Sequence, residues 1–110
     1  MATTYTDAQI AGTASTSTYA TLTQTTSTTT AVVGSLVICN EATSAVTVRV
    51  GLAASATTPA SGAFILYDRV IPANDTLVLT MGLALGNTKF IRVSSSATTV
   101  SFTASVSVIS

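Results

Sequence analysis

Val46-Thr47-Val48-Arg49-Val50-Gly51-Leu52 alternates large apolar residues with small or polar ones. A period of two puts Val46, Val48, Val50 and Leu52 on one dry face and Arg49 on the other, the pattern of a half-buried β-strand. The alternation returns at Leu77, Leu79 and Met81. Interleaved with Ser and Thr, it returns again at Val100, Phe102, Ala104, Val106 and Val108. No segment places apolar residues at i, i+3, i+4 and i+7 over three turns, so almost no helix is expected.

Outward from this strand the chain is a series of short extended runs and turns. Residues 28–40 are rich in Thr, Val, Leu and Ile and read as one long or bent strand, with Gly34 as a bulge. Residues 40–44 form a polar connection of hairpin length. Residues 53–63 hold Pro59 and Gly62 and read as a loop, the one place where a short helical turn would fit. Phe64-Ile65-Leu66-Tyr67 is a short buried run. Pro72, Asn74 and Asp75 supply turn chemistry. A strand begins at Thr76 and is expected to break at the glycines of residues 82–87, GLALGN. Residues 89–94 and 98–109 complete the series, joined by the tight link Ser95-Ser96-Ala97. The expectation is an all-β fold, an antiparallel sandwich or jelly-roll-like arrangement of about six to eight strands.

The first residues differ. Residues 13–30 read TASTSTYATLTQTTSTTT, and after Met1 the only sizeable apolar side chains before residue 28 are Tyr5, Ile10, Tyr19 and Leu22. So few anchors do not offset the entropy of ordering the segment. Residues 1–27 are therefore expected to be an extended Thr/Ser-rich arm, and residues 28–110 the sandwich domain. The arm is either a flexible leader or a segment that orders on a neighbouring subunit. Its residues 19–23 alternate and read as a short strand.

Charge is scarce. Four cations (Arg49, Arg69, Lys89, Arg92) balance four carboxylates (Asp7, Glu41, Asp68, Asp75) in 110 residues. Nothing there neutralises a run of phosphates, so nucleic acid is not an expected partner. No window reaches the roughly 20 apolar residues that a membrane helix needs, and no basic leader marks a secretory signal, so synthesis in a cytoplasm is expected. His is absent and Cys39 stands alone, which removes the commonest general base and any thiolate cluster. No catalytic residue, cofactor, metal or small-molecule substrate is expected. Asn74-Asp75 supplies too few oxygens for calcium. Cys39 reads as a packed small hydrophobe, and GLALGN lacks the features of a phosphate loop.

From residue 28 onward the chain resembles small structural proteins of tailed bacteriophages. The likeness is carried by AVVGSLVICN, SAVTVRVGLA, FILYDRVIPANDTLVLTMGLAL and FIRVSSSATTVSFTASVSVI, and covers about three-quarters of the sequence. These motifs are strand-and-turn grammar, not a chemical signature. The resemblance implies a virion location, as a capsid decoration (cement) protein or as a neck or tail accessory.

Two functional classes follow. In the first, the chain is a virion structural protein that forms a homo-oligomer, expected to be a trimer, and binds major capsid or neck and tail proteins. Its abundant Thr, Ser and Ala lose little side-chain entropy when a surface is covered. In the second it is a receptor- or carbohydrate-binding module of a tail fibre. Against that class, Trp is absent and the six Tyr and Phe residues sit mostly in apolar strand contexts. The interface candidates are Tyr5, Ile10, Tyr19, Leu22, Arg49, Asp68, Arg69 and Arg92. Asp68 and Arg69 are expected to form either an intersubunit ion pair or a solvated strand-end pair. Arg49, Lys89 and Arg92 are candidates for a shared basic patch.

Overall fold

The computed structural model describes residues 2–110, which fold into eight strands. They are β1 (Thr3–Ala11), β2 (Ala20–Gln24), β3 (Thr30–Asn40), β4 (Val46–Ala53), β5 (Phe64–Ile71), β6 (Thr76–Leu85), β7 (Phe90–Ser95) and β8 (Val100–Ile109). Two four-stranded antiparallel sheets result, ordered β1-β8-β3-β6 and β2-β7-β4-β5. Strand pairs run from the ends of the chain inward: β1 with β8, β2 with β7, β3 with β6 and β4 with β5. The chain is thus one long hairpin, bent at residues 54–63 and rolled until β3 meets β8 and β4 meets β7. This is a jelly roll.

The alternation seen in the sequence sets the inner faces. Val46, Val48 and Val50 share the inner face of their sheet with Ile91 and Val93, and Leu36, Ile38, Phe102 and Ala104 come from the other sheet, all buried in one core. In β3 the inward residues are Ala31 and Val33, then Leu36 and Ile38. Gly34 resets that parity, because the register against both β6 and β8 shifts between Val33 and Ser35. The expected bulge is present.

Several expectations change. Residues 40–44 do not close a hairpin. β3 and β4 lie in different sheets, and only the β4–β5 connection joins neighbours. Residues 64–67 are not a buried run. β5 is an edge strand, and Ile65 and Tyr67 are exposed. β6 does not break at Gly82, which takes φ 57° within a bulge while the strand continues to Leu85. Cys39 is half-buried on an outer sheet face and is absent from the core.

The largest difference lies in residues 1–27, where the expected arm supplies two strands of the roll. β1 pairs with β8 in unbroken register from Thr3–Ile109 to Ala11–Ser101. Ile10 packs against the core, and Leu22 is buried within it. Hydroxyl groups do much of the docking. Thr13 donates its N–H to Ser95 Oγ at 2.9 Å, and its Oγ1 accepts the Ser95 N–H at 2.9 Å. Thr25, 4% exposed, accepts the Lys89 N–H through Oγ1 and donates that hydroxyl to the Gly86 carbonyl. Gly12 passes so close to Ser95, Ala97 and Val100 that a Cβ there would have no room.

Asn40 makes the third such tie, at the corner where the chain leaves β3 for β4 and β5 for β6. It is 1% exposed. Its Nδ2 donates to the carbonyls of Ser44, Ile71 and Pro72 at 3.0–3.1 Å, and its Oδ1 accepts the Ala42 N–H at 2.9 Å. Asn40→Ala is expected to leave these groups without partners and to cost on the order of 3 kcal/mol in urea unfolding. Phe102, fully buried, should lose about 3–5 kcal/mol on truncation to Ala. A loss below about 1 kcal/mol at Phe102 would contradict the register of β8.

Candidate functional site

The outer face of the β2-β7-β4-β5 sheet carries a cleft of about 470 Å³. Its position follows from two backbone features. Gly51 on β4 lacks the side chain that would block the 54–63 loop, and Pro59 packs into that space. A Cβ at residue 51 would lie 2.8 Å from Pro59 and 3.0 Å from Phe64. On the neighbouring strand, Val48 pairs with Arg69 and Val50 with Leu66, so Tyr67 and Asp68 together oppose the single residue Arg49. This bulge holds Asp68 at φ 54°, a left-handed conformation unusual outside glycine. It aims Tyr67 and Asp68 at Arg49.

Arg49 is the hub of the cleft. Its Nε donates to Asp68 Oδ1 at 2.6 Å, and its Nη1 donates to the Tyr19 hydroxyl at 3.3 Å and the Thr16 carbonyl at 3.4 Å. Its guanidinium also lies 4.3 Å from the centre of the Tyr67 ring, a cation–π contact. The hydrogen bonds to Asp68 first, and to Tyr19 second, raise the guanidinium pKa above its ordinary value, so the cation persists across the accessible pH range. Phe64 stands edge-on to Tyr67, with centroids 4.9 Å apart and planes at 75°, and Tyr19 lies 6.3 Å from Phe64. Three of the six aromatic residues therefore converge on one cleft.

Arg92 supports this arrangement from β7. It donates to the Tyr19 carbonyl at 3.2 Å, to the Thr57 carbonyl at 3.1 Å and to the Thr21 hydroxyl. It ties β2 and the 54–63 loop to the same sheet face. Lys89 stands apart, beside Leu52 and Ala53 at a separate depression. Of the three cations weighed as a shared patch or as solvated face residues, only Arg49 and Arg92 adjoin the cleft.

The interface candidates divide accordingly. Tyr19, Arg49 and Asp68 meet in the cleft, and Arg92 braces it. Tyr5 is 81% exposed on β1. Arg69 is exposed on β5. Leu22 is buried in the core, and Ile10 is partly buried against it. Asp68 pairs across the sheet with Arg49 and not with its neighbour Arg69, because the bulge turns it toward β4. Phe64, Pro59 and Gly51 were not among the candidates. A glycine inside an otherwise alternating strand was the available signal, since it marks close approach by another segment.

The four sheet edges are unequally protected. β1 carries Asp7, β5 carries a bulge with Asp68 and Arg69, and β2 is only five residues long. β6 is ten residues long with no charge and no proline. Val78 on it is 60% exposed, and Leu77, Leu79, Met81 and Leu83 are only partly buried. Among the described residues no group of three or more His, Cys, Asp or Glu side chains is placed to hold a metal, and no helix is long and apolar enough to cross a membrane.

No protein-family model and no curated protein sequence matches the chain. Among solved structures, it is similar to a chain of the T13 IBDV viral particle, with a TM-score of 0.55 at 12% identity. That likeness covers 96% of this chain and 30% of the other, so this chain spans under a third of that protein's length. A chain of the cyanophage Pam1 capsid asymmetric unit is similar at 18% identity with a TM-score of 0.46, over 97% of this chain and 82% of that one. The jelly roll described above is therefore a fold also found in a virus-particle chain.

Gly51→Ala is expected to push Pro59 and Phe64 off the sheet and to cost about 1–3 kcal/mol. The NMR resonances of Phe64 and Tyr19 should shift, while those of β1 and β8 stay in place.

Proposed function

We propose that the chain is a structural component of a tailed-phage virion, a capsid decoration protein that associates with copies of itself and stabilises the shell. The observation that carries this reading is the long β6 edge, which has no charge and no proline. Exposed backbone donors and acceptors on a long, uncharged edge template strand pairing with another chain. Natural monomers blunt such edges, as β5 does here with its bulge and charges. In β6 the edge is flanked by partly buried leucines and a methionine, whose burial by a second copy adds a hydrophobic contribution. The shared fold with a chain of the T13 IBDV viral particle and the phage-like motifs of residues 28–110 support the same reading.

The proposed oligomer is a homotrimer, in which β6 of each copy meets a different face of the next and the ring closes. No catalytic role is assigned. The four carboxylates are scattered, and among the described residues the one close ion pair, Arg49–Asp68, is partly exposed on the sheet surface.

Sedimentation velocity of the purified chain is expected to show a trimer, and Val78→Lys, which puts a charge on the exposed β6 edge, should give folded monomers whose melting temperature no longer depends on protein concentration. Quantification in purified particles should find a copy number comparable with that of the major capsid protein. A much lower, portal-like copy number would place the chain at a neck or tail. A monomer that does not bind particles would overturn the assembly reading.

A further inference from the structure

The cleft around Arg49 is not explained by assembly through β6, which lies at the edge of the other sheet. Its chemistry narrows what it would hold. Tyr67 is 59% exposed, and with Phe64 it makes a corner of two nearly perpendicular aromatic surfaces. Arg49 contributes Nε and Nη1 to its contacts with Asp68, Tyr19 and Thr16. Nη2 of Arg49 and Oδ2 of Asp68 have no hydrogen-bond partner among the described residues, leaving a donor and an acceptor next to the rings. Thr58 and Ser61 also line the cleft, and nothing stands within 4 Å of where a Cβ at Gly62 would project.

An anionic ligand fits poorly, because the Asp68 carboxylate offsets the Arg49 charge. A cation would be repelled by the Arg49 guanidinium, which covers one face of the Tyr67 ring and leaves the rest of that exposed side chain free. A nucleic acid would find only four cations in the whole chain. What remains is a neutral ring with one apolar face and several hydroxyls. Its C–H face would lie against an aromatic surface, and its hydroxyls would donate to a carboxylate and accept from a guanidinium.

We propose that this cleft is a carbohydrate subsite for a neutral hexopyranose, held against the aromatic surface of Tyr67 and Phe64 that Arg49 leaves uncovered and by Arg49 and Asp68 through hydroxyl hydrogen bonds. The site does not depend on the assembly reading, since a monomer carries it complete. The strained backbone at Asp68 has a role in this arrangement, because the bulge brings the carboxylate beside the aromatic corner.

The test is an array printed with neutral, sialylated and sulfated oligosaccharides. It is followed by saturation-transfer NMR with the methyl glycosides of glucose, galactose and mannose. Wild-type protein should retain neutral glycans, and Tyr67→Ala should bind the best of them about tenfold more weakly. Tyr5→Ala, an exposed tyrosine on the other sheet, should bind as wild type does. Asp68→Asn keeps the side chain's shape and tolerates the left-handed backbone. It should also lose binding, and it carries the test should Tyr67→Ala fail to fold. Absence of any neutral glycan signal, retention of only sialylated or sulfated glycans, or wild-type binding by folded Tyr67→Ala or Asp68→Asn would overturn the proposal.

Discussion

Six of the seven connections in this chain leave one sheet for the other, and at each crossing backbone groups lose their ladder partners. Buried backbone donors and acceptors need replacements. Three buried side chains supply them at the three paired crossings. Ser95 ties the β1–β2 connection to the β7–β8 connection through Thr13. Thr25 ties the β2–β3 connection to the β6–β7 connection. Asn40 ties the β3–β4 connection to the β5–β6 connection. The fourth buried polar residue, Ser94, donates to the Thr16 carbonyl and holds the β1–β2 connection again. No buried side-chain polar atom among the described residues lacks a partner. A roll with so little charge is held at its corners by neutral hydroxyls and one amide.

The same constraint positions the cleft. Asn40 holds the start of β4 against the end of β5, so the register between these strands is set at that corner, with Val46 opposite Ile71. The bulge at Tyr67 and Asp68 then falls opposite Arg49, three residues along β4. Gly51, further along the strand, admits Pro59 and brings the 54–63 loop over the sheet. Two local departures from regular pleating thus turn a flat outer face into a lined depression. Elsewhere the outer faces carry mostly Ser, Thr and Val, and offer little besides shape.

The unequal edges give the molecule a direction. On β5 the bulge and its charges oppose strand addition, and on β2 brevity does the same. β6 carries a bulge at Gly82 but neither charge nor brevity to oppose strand addition. In the roll, β5 and β6 follow one another in sequence yet end in different sheets, so a guarded edge and an open one flank the same side of the sandwich.

Much of this was legible in the residues. Period-two alternation at Val46–Leu52, Leu77–Met81 and Val100–Val108 identified strands and their dry faces, because side-chain direction in a strand is a local property. Gly34 was legible as a bulge, and Phe102 and Val48 as core. Sheet membership was not, since a five-residue polar link serves a hairpin and a crossover equally well. The docking of residues 1–27 was hidden for a related reason. Their anchors are a backbone ladder and hydroxyl pairs with Ser95, Gly86 and Lys89, more than sixty residues away, and counting apolar side chains does not detect them. The convergence of Tyr19, Arg49, Phe64 and Tyr67 likewise required β2, β4 and β5 to share one sheet face. Sequence alone determined what each strand buries, through a two-residue period that acts locally. Tertiary structure alone decided which strands adjoin, because pairing depends on backbone groups that every residue carries alike.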